Sequence, residues 1–257
     1  MRELDYERLV VDIQNWIKNY IKSANATNIV VGLSGGIDSA VTATLCTKAI
    51  GKEKIFGLGL PCGSILQDLE DAKLIAKHLG INFDILDLTS VYDKFLDITN
   101  SIPRKDKLAS ANLKPRLRMM ALYFIGQSKG NSLIAGTSNR AELVIGYFTK
   151  YGDGAADFEP IASLYKQEVR KIAEFLNLPK RIITKAPSAG LWPGQTDEGE
   201  IGLSYDTIDE ILYRMDYNLD FKGINEEDIK TVKNMMSAAE HKLHMPPFFD
   251  VKESSKK

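Results

Sequence analysis

A glycine-rich turn near the start of the chain carries the residues best suited to chemistry. The run Ser34-Gly35-Gly36-Ile37-Asp38-Ser39 follows a short apolar stretch and precedes a predicted helix. Adjacent glycines allow a tight turn that directs backbone N–H groups toward one point, and the helix N-terminus adds partial positive charge there. This pattern predicts a site for phosphate or pyrophosphate. Asp38 fits such a site as a ligand of Mg²⁺, because the cation would bridge the carboxylate to phosphate oxygens.

The turn differs from the two commonest phosphate-binding motifs. It contains neither the Gly-Lys-Ser/Thr of a P-loop nor the spacing of a dinucleotide-binding fingerprint. The alternative interpretation is purely structural. In it, Asp38 or Ser39 would be the N-cap of the following helix.

A second polar cluster follows a later apolar run. Thr137 lies at the carboxyl end of a predicted strand, and Glu142 is positioned to supply a second magnesium carboxylate facing Asp38. Lys150 and Asp157 offer a cation and an acceptor that we expect close together. The alternatives are an exposed helix position for Glu142 and a solvated loop charge for Lys150.

Four other residues are weaker candidates. His241 and His244 have a spacing compatible with a metal pair, but no third ligand is evident, so we expect ligand contact for His241 and packing for His244. Cys62 is interpreted as a small buried residue rather than a nucleophile. Trp192 either covers a ligand or anchors its loop.

Alternating strands and helices must position these residues. Apolar runs predict strands at 28–33, 54–61, 81–88 and 131–137. Helical periodicity predicts helices near 5–23, 38–50, 67–79, 91–99, 114–128, 164–176, 205–213 and 225–242. The alternation indicates an α/β fold, an open and mostly parallel sheet with helices on both faces. Ligands of such sheets bind beyond the carboxyl ends of the strands.

The remaining segments set the organisation of the chain. We expect one domain over residues 1–257, with a mobile loop near 186–204 because that stretch is rich in glycine and proline and lacks periodicity. The tail 251–257 is expected to be disordered, and the charged run 104–107 to be a solvated loop.

Composition excludes several classes of function. With 33 Lys plus Arg and 34 Asp plus Glu, the net charge of −1 argues against non-specific binding to nucleic acid or to anionic membranes. The sequence contains no apolar run of about 18 residues, and the acidic start MRELDYERL does not resemble a signal peptide. Two cysteines without a CxxC motif fit a reduced, cytoplasmic location.

Two motifs carry a family resemblance. SGGIDS, at 34–39, resembles the pyrophosphate-binding loop of the ATP-pyrophosphatase (PP-loop) enzymes, which have an adenine nucleotide alpha hydrolase-like fold and adenylate a carbonyl or carboxyl group. The string GTSNRAELVIGYFTKYGDGAADFEP, at 136–160, resembles the signature of ammonia-dependent NAD synthetases. The resemblance extends over about residues 5–250.

The resemblance implies a reaction and a set of ligands. The reaction would be amidation of deamido-NAD by ammonia, with ATP converted to AMP and pyrophosphate through an NAD-adenylate, the last step of NAD biosynthesis. Asp38 and Glu142 would hold Mg²⁺, with Lys166 as the third catalytic group. The implied ATP contacts are Gly32, Leu33, Ser34, Gly35, Gly36, Ile37, Asp38, Ser39, Thr137, Lys166 and Ser188. The implied deamido-NAD contacts are Arg116, Lys150, Asp157, His241 and Lys242. A homodimer with shared substrate sites is also implied.

The nitrogen donor and two rival functions remain open at this point. The glycine loop begins near residue 34, which leaves no room upstream for a glutaminase domain, so we expect free ammonia or ammonia from a separate glutaminase. One rival is a tRNA-thiolating enzyme, disfavoured by the near-neutral charge and the absence of CxxC. The other is a non-catalytic nucleotide sensor, disfavoured because Asp38, Glu142 and Lys166 are all present.

Overall fold

A parallel β-sheet forms the centre of the computed structural model, which describes residues 2–102, 107–188, 190, 192 and 194–249. Among these residues, four strands form the sheet: β1 (Asn28–Gly32), β2 (Ile55–Gly59), β3 (Asn82–Ile85) and β4 (Ser132–Ala135). Their order is β3-β2-β1-β4, so the chain moves outward from β1 to β3 and then returns to the other side of β1. The topological switch point therefore lies between β1 and β4.

Eleven α-helices surround the sheet within the same described ranges. They are α1 (Tyr6–Ser23), α2 (Ile37–Ile50), α3 (Leu66–Leu79), α4 (Thr89–Ile98), α5 (Lys107–Ser128), α6 (Arg140–Ile145), α7 (Lys166–Phe175), α8 (Lys180–Ile183), α9 (Asp197–Ile201), α10 (Tyr205–Asp216) and α11 (Glu226–Leu243). In the part of the chain that the structure describes, none of them combines the length and the apolar character needed to cross a bilayer.

Both faces of the sheet are covered. Successive side chains of a strand point to opposite faces, and β1 buries Ile29 and Val31 in a core shared with α1, α2, α3 and α7. Val30 packs on the other face, in a core that contains Leu117 of α5. A third apolar cluster joins α6, α10 and α11. The predicted fold class, an open parallel sheet with helices on both faces, is confirmed.

The boundaries predicted for α5 and β3 are wrong. Helix α5 begins at Lys107 rather than near residue 114, and Pro115 lies inside it. A proline is disfavoured in a helix interior, so the sequence does not indicate that the helix extends through residue 115 to Lys107. Strand β3 spans only four residues, Asn82–Ile85, rather than 81–88. It forms one edge of the sheet, and most of its residues are exposed.

The segment predicted as an aperiodic loop, 186–204, contains a short helix. The Thr196 side chain caps the N-terminus of α9 by accepting a hydrogen bond from the Gly199 N–H. Asp197 and Ile201 of this helix are buried. The tail 251–257, residues 104–106 of the charged run, and residues 189, 191 and 193 of the loop lie outside the described residues.

Candidate active site

The glycine loop connects β1 to α2 at the switch point. Gly35 has φ +79°, and a Cβ on it would lie 2.3 Å from the backbone oxygen of Asp68, so only glycine fits there. The N-cap of α2 is Gly36, and Asp38 and Ser39 lie in the first helical turn. The interpretation of Asp38 or Ser39 as the N-cap is therefore wrong. Because a glycine N-cap has no side chain, the first N–H groups of α2 remain available to an anion.

Hydroxyl groups shape the same loop. The Ser34 Oγ accepts a hydrogen bond from the Gly36 N–H at 3.2 Å, and the Ser39 Oγ donates to the Gly36 carbonyl at 3.0 Å. The two serine hydroxyls are 3.2 Å apart. They therefore hold the backbone of the turn and present polar atoms beside its N–H groups.

A lysine joins the two predicted magnesium carboxylates. The Lys166 Nζ lies 2.5 Å from Asp38 Oδ2 and 3.5 Å from Glu142 Oε1. Lys166 is 2% exposed, whereas the two carboxylates keep a small opening to solvent. The structure thus brings together the ends of β1 and β4 and the first residue of α7.

Asn139 and Tyr205 orient the carboxylates. Asn139 is the N-cap of α6, and its backbone N–H donates to Glu142 in a capping box. The side-chain amide of Asn139 donates to Asp38 at 3.1 Å. The Tyr205 hydroxyl lies 3.1 Å from Glu142 Oε1 and 3.2 Å from Asp197 Oδ2. Sequence reasoning missed both roles, because an N-cap asparagine and a buried tyrosine normally have structural roles.

The electrostatics of this cluster favour an additional cation. Burial, reinforced by the nearby Asp38 carboxylate, raises the pKa of Glu142 to about 7. Burial opposes charge on Lys166, but Asp38 and Glu142 outweigh it and raise the lysine pKa above its usual value. When both are ionised, Asp38 and Glu142 carry more charge than the one ammonium between them neutralises.

This donor set fits Mg²⁺ shared with a substrate. Among the described residues, no group of three His, Cys, Asp or Glu side chains is arranged to hold a metal ion. Mg²⁺ is commonly bound by one or two carboxylates together with water and substrate phosphates. Asp38 and Glu142 beside the anion loop match that pattern.

The start of α7 is held by further hydrogen bonds that fix Lys166. Asp209 accepts from the Gln167 N–H at 3.0 Å, and Glu168 accepts from the Tyr165 N–H at 3.0 Å. Glu168 also pairs with Arg2 at 2.7 Å. These bonds satisfy N–H groups that the first turn of a helix leaves open.

Three of the residues implied to contact deamido-NAD lie together. The Arg116 Nε donates to the carbonyl of Lys150 at 3.3 Å. The Lys150 Nζ bonds the carbonyl of His241 and lies 3.5 Å from its Nδ1. Residues from α5, from the segment after α6 and from α11 therefore converge on one surface.

The other two residues of that set are engaged within the chain. The carboxylate of Asp157 accepts from the Tyr123 hydroxyl at 3.1 Å and from the Ile134 N–H at 2.7 Å, at the edge of β4. The Lys242 Nζ donates to the carbonyls of Gly146 and Phe148, at 2.7 and 2.8 Å. Asp157 and Lys150 thus have different hydrogen-bond partners.

The remaining candidates are more peripheral. The Ser188 hydroxyl donates to the Gln195 carbonyl at 2.8 Å, and Thr137 lies half-buried in the connection from β4 to α6.

His244 does not pack in the interior: it is exposed and lies 2.8 Å from Glu240. Cys62 is fully buried, and burial raises its pKa, as expected for an unreactive thiol. The Trp192 ring lies under the Lys107 ammonium.

Comparison with known proteins agrees with this geometry. The parallel sheet with helices on both faces and a glycine-rich loop at its switch point is the PP-loop α/β fold, which the chain shares with solved NAD synthetases. Within that class, the chain belongs to the NAD synthase family, whose model matches residues 9–246. The family resemblance of the two sequence motifs is thereby confirmed.

Curated relatives and solved structures match over nearly the full chain. The NH(3)-dependent NAD(+) synthetase of Archaeoglobus fulgidus is 43% identical over 97% of this chain and 99% of its own length. That of Carboxydothermus hydrogenoformans is 46% identical over 95% and 97%. An NMN synthetase structure from Francisella tularensis has a TM-score of 0.89 at 34% identity, and covers 96% of this chain and 100% of its own. The NH3-dependent NAD synthetase from Campylobacter jejuni has a TM-score of 0.82 at 34% identity, with the same coverage.

Proposed function

We propose that this protein amidates the nicotinate carboxylate of deamido-NAD with ammonia and ATP, forming NAD, AMP and pyrophosphate. The observation that carries the proposal is the buried Lys166 bridging Asp38 and Glu142 beside the glycine loop, in a chain of the NAD synthase family. Curated relatives with 43% and 46% identity are named for ammonia as the nitrogen donor. The reaction is the final step of NAD biosynthesis.

The first half-reaction would take place at the switch point. A carboxylate oxygen of deamido-NAD attacks the α-phosphorus of ATP, the bond to the β-phosphate oxygen breaks, and pyrophosphate leaves toward the glycine loop. The residues 32–39, with Thr137, Ser188 and Lys166, would bind ATP. Lys166 and the loop N–H groups would offset charge that develops on pyrophosphate.

Mg²⁺, held by Asp38 and Glu142, would supply charge neutralisation at the phosphates. Lys166 lies between the two carboxylates, so its charge would favour their ionised forms and hold them in place. The role of these residues is positioning and electrostatic stabilisation, and no side chain is required as a nucleophile.

The second half-reaction would form the amide. Ammonia attacks the activated carbonyl, the nitrogen loses a proton, and AMP departs. Arg116, Lys150 and His241 would hold deamido-NAD on their shared surface. Asp157 and Lys242 would support that surface through the backbone they bind, and would touch the dinucleotide only by exchanging their present partners.

A second acceptor follows from one comparison. The Francisella tularensis structure with a TM-score of 0.89 is an NMN synthetase. The corresponding acceptor for this chain would be nicotinate mononucleotide, which carries the same carboxylate without the adenylate half. A glutamine-dependent NAD+ synthetase from Acinetobacter baumannii is also similar, at 25% identity, but this chain covers only 48% of its length.

The proposed assembly is a cytoplasmic homodimer of a single catalytic domain, residues 1–257. An exposed apolar face on α4 and α5 supports the dimer; we define this α4–α5 apolar face by Val91, Phe95, Ile98, Met120 and Phe124. Large exposed apolar patches favour protein association. The two buried free cysteines, Cys46 and Cys62, fit a reducing compartment.

The proposal is tested by supplying both acceptors and both nitrogen donors. Purified protein receives ATP, Mg²⁺ and either deamido-NAD or nicotinate mononucleotide, with ammonium or glutamine, and pyrophosphate and amide product are followed by mass. We expect NAD from deamido-NAD with ammonium only. Faster turnover of the mononucleotide would reassign the acceptor, and release of pyrophosphate without any amide would contradict the amidation.

A further inference from the structure

Lys185, two residues beyond α8, binds three acceptors next to the glycine loop. Its Nζ lies 2.7 Å from Asp68 Oδ1, 2.7 Å from Asp71 Oδ2 and 3.3 Å from the Gly35 carbonyl oxygen. An ammonium group carries three N–H donors. Each of the three is therefore occupied, and none is left to bind a phosphate directly.

The charges around Lys185 are already balanced. Asp71 is buried, with its side chain 2% exposed, and it also pairs with Arg181 of α8. Two carboxylates, Asp68 and Asp71, thus face two cations. Balance of charge explains the two ionic contacts of Lys185, but it does not explain the contact with the neutral Gly35 carbonyl.

The Gly35 carbonyl belongs to the peptide that joins the two glycines of the loop. The orientation of this peptide decides whether an N–H group or a carbonyl faces a bound phosphate. In a planar trans peptide, the C=O of Gly35 and the N–H of Gly36 point in opposite directions. With the carbonyl turned toward Lys185, the Gly36 N–H faces Ser34 and bonds its hydroxyl. Two consecutive glycines offer little steric resistance to rotation of this peptide, and a rotated peptide would point its carbonyl dipole at an incoming phosphate.

We propose that Lys185 is a positioning residue for ATP: it holds the Gly35–Gly36 peptide so that N–H groups rather than a carbonyl face the phosphates. Lys185 also ties the start of the 186–204 segment to α3 and to the loop. The inference rests on the proposed function only in naming ATP as the anion.

Three variants separate this role from simple charge balance. Lys185→Met removes the ammonium, Lys185→Met combined with Asp68→Asn removes it while restoring charge balance, and Lys180→Met alters an exposed lysine on α8. Binding of Mg-ATP and of deamido-NAD is measured by calorimetry, together with KM, kcat and melting temperature.

We expect both Lys185 variants to bind ATP about tenfold more weakly, the effect of one charge-assisted hydrogen bond. Their KM for ATP should rise more than kcat falls, and deamido-NAD binding should stay within about twofold of native, as should all parameters of Lys180→Met. Equal ATP affinity in Lys185→Met and the native protein would overturn the proposal. Recovery of native affinity in the double variant would do the same.

Stability and function are kept separate in this design. If Lys185→Met alone fails to fold, the charge-balanced double variant decides the question, and failure of both to fold would assign Lys185 a purely structural role. A native protein that binds ATP but makes no NAD would contradict the proposed function only, because the ATP affinities still test Lys185.

Discussion

Lys166 is the residue on which the candidate site depends most directly. It is buried and lies between Asp38 and Glu142, two carboxylates that would otherwise repel each other. The helix that begins with Lys166 is fixed by hydrogen bonds that Asp209 of α10 and Glu168 accept from backbone N–H groups. In the proposed reaction the ammonium would have both a stabilising and a catalytic role.

Replacement of Lys166 by methionine should abolish most turnover. We expect kcat/KM for pyrophosphate release to fall on the order of a thousandfold, because the variant loses a charge that stabilises the leaving group. The protein should also become less stable, since two partly buried carboxylates lose their partner. Steady-state kinetics and thermal unfolding measure both effects. Lys171→Met, at an exposed position of the same helix, is the control, and near-native turnover of Lys166→Met would remove Lys166 from the chemistry.

Glu159 makes stability depend on pH. Burial raises the pKa of this carboxyl to about 8, although the Ser138 N–H bond acts in the opposite direction. Its pKa is higher in the folded protein than in the unfolded chain, so the stability it contributes is fully present below about pH 4.5. That contribution is lost as the pH rises through about 8.

Glu159→Gln should therefore stabilise the protein at alkaline pH. We expect a gain on the order of a few kcal/mol over native at pH 9, and much less at pH 5. Urea unfolding at the two pH values measures it, with the exposed Glu174→Gln as the matched control. An unchanged pH dependence of stability in Glu159→Gln would show that another group is responsible.

Residue spacing predicted the main acidic pair but not the groups that hold it. Asp38 and Glu142 were predictable because each follows the carboxyl end of a strand, where ligands of parallel sheets gather. The Asn139 amide and the Tyr205 hydroxyl were not, because they reach Asp38 and Glu142 from 101 and 63 positions away in the chain. No local periodicity encodes such contacts.

At the scale of elements, close contact with α3 restricts the conformation of the loop between β1 and α2 and the residue type at position 35. A Cβ at Gly35 would meet the Asp68 carbonyl at 2.3 Å and the Asp71 Cβ at 2.8 Å. Gly223 offers a comparison, because its φ of +84° is similar, whereas a Cβ added there would have no described atom within 4 Å. Alanine at Gly223 would therefore cause backbone strain alone, whereas alanine at Gly35 would cause both backbone strain and a steric clash.

Gly35→Ala should accordingly damage the protein more than Gly223→Ala. The second change should cost about 1 kcal/mol of unfolding free energy, the ordinary penalty for alanine at positive φ. The first should cost more and should weaken ATP binding, because the loop must move away from α3. Denaturant unfolding and calorimetry test this. Equal costs, with ATP affinity retained, would show that the loop tolerates the displacement.

Element boundaries were predictable where the pattern was strong. The central strands and α2 matched closely because their apolar runs and glycine ends are clear. Helix α9 was missed because five residues are too few to show a helical period, and its stability comes from the Thr196 cap and from burial of Ile201. The N-terminal part of helix α5 was missed, and Pro115, a residue disfavoured in helix interiors, lies within the helix.

At the scale of the whole molecule, the α4–α5 apolar face points to association. Ile98 and Phe124 are 69% and 70% exposed, which is unusual for large apolar side chains. A face of this kind would be covered by a second copy in the proposed dimer. The sequence implied the dimer only through its family, because exposed and buried apolar positions of a helix share the same periodicity.

Phe124→Glu should convert the protein to a monomer. A buried unpaired charge in the interface disfavours association, and light scattering measures the mass directly. We expect weaker deamido-NAD binding with retained ATP binding, because α5 also carries Arg116 of the deamido-NAD set, whereas the glycine loop connects β1 to α2. Phe175→Glu, at an exposed aromatic residue of α7, is the control. A dimeric Phe124→Glu protein would place the interface elsewhere.

The close contact between α6 and α11 has a thermodynamic consequence. A Cβ on Gly146 would lie 2.3 Å from the Ala239 Cβ, and Lys242 bonds the carbonyl that ends α6, so the two helices are joined with little free space. Helix α6 carries Glu142, and α11 carries His241. If binding of the dinucleotide at α11 changes the affinity for Mg-ATP at the acidic pair, linkage requires Mg-ATP to change the affinity for the dinucleotide by the same factor. Binding of either substrate would then change the affinity for the other through the contact between α6 and α11.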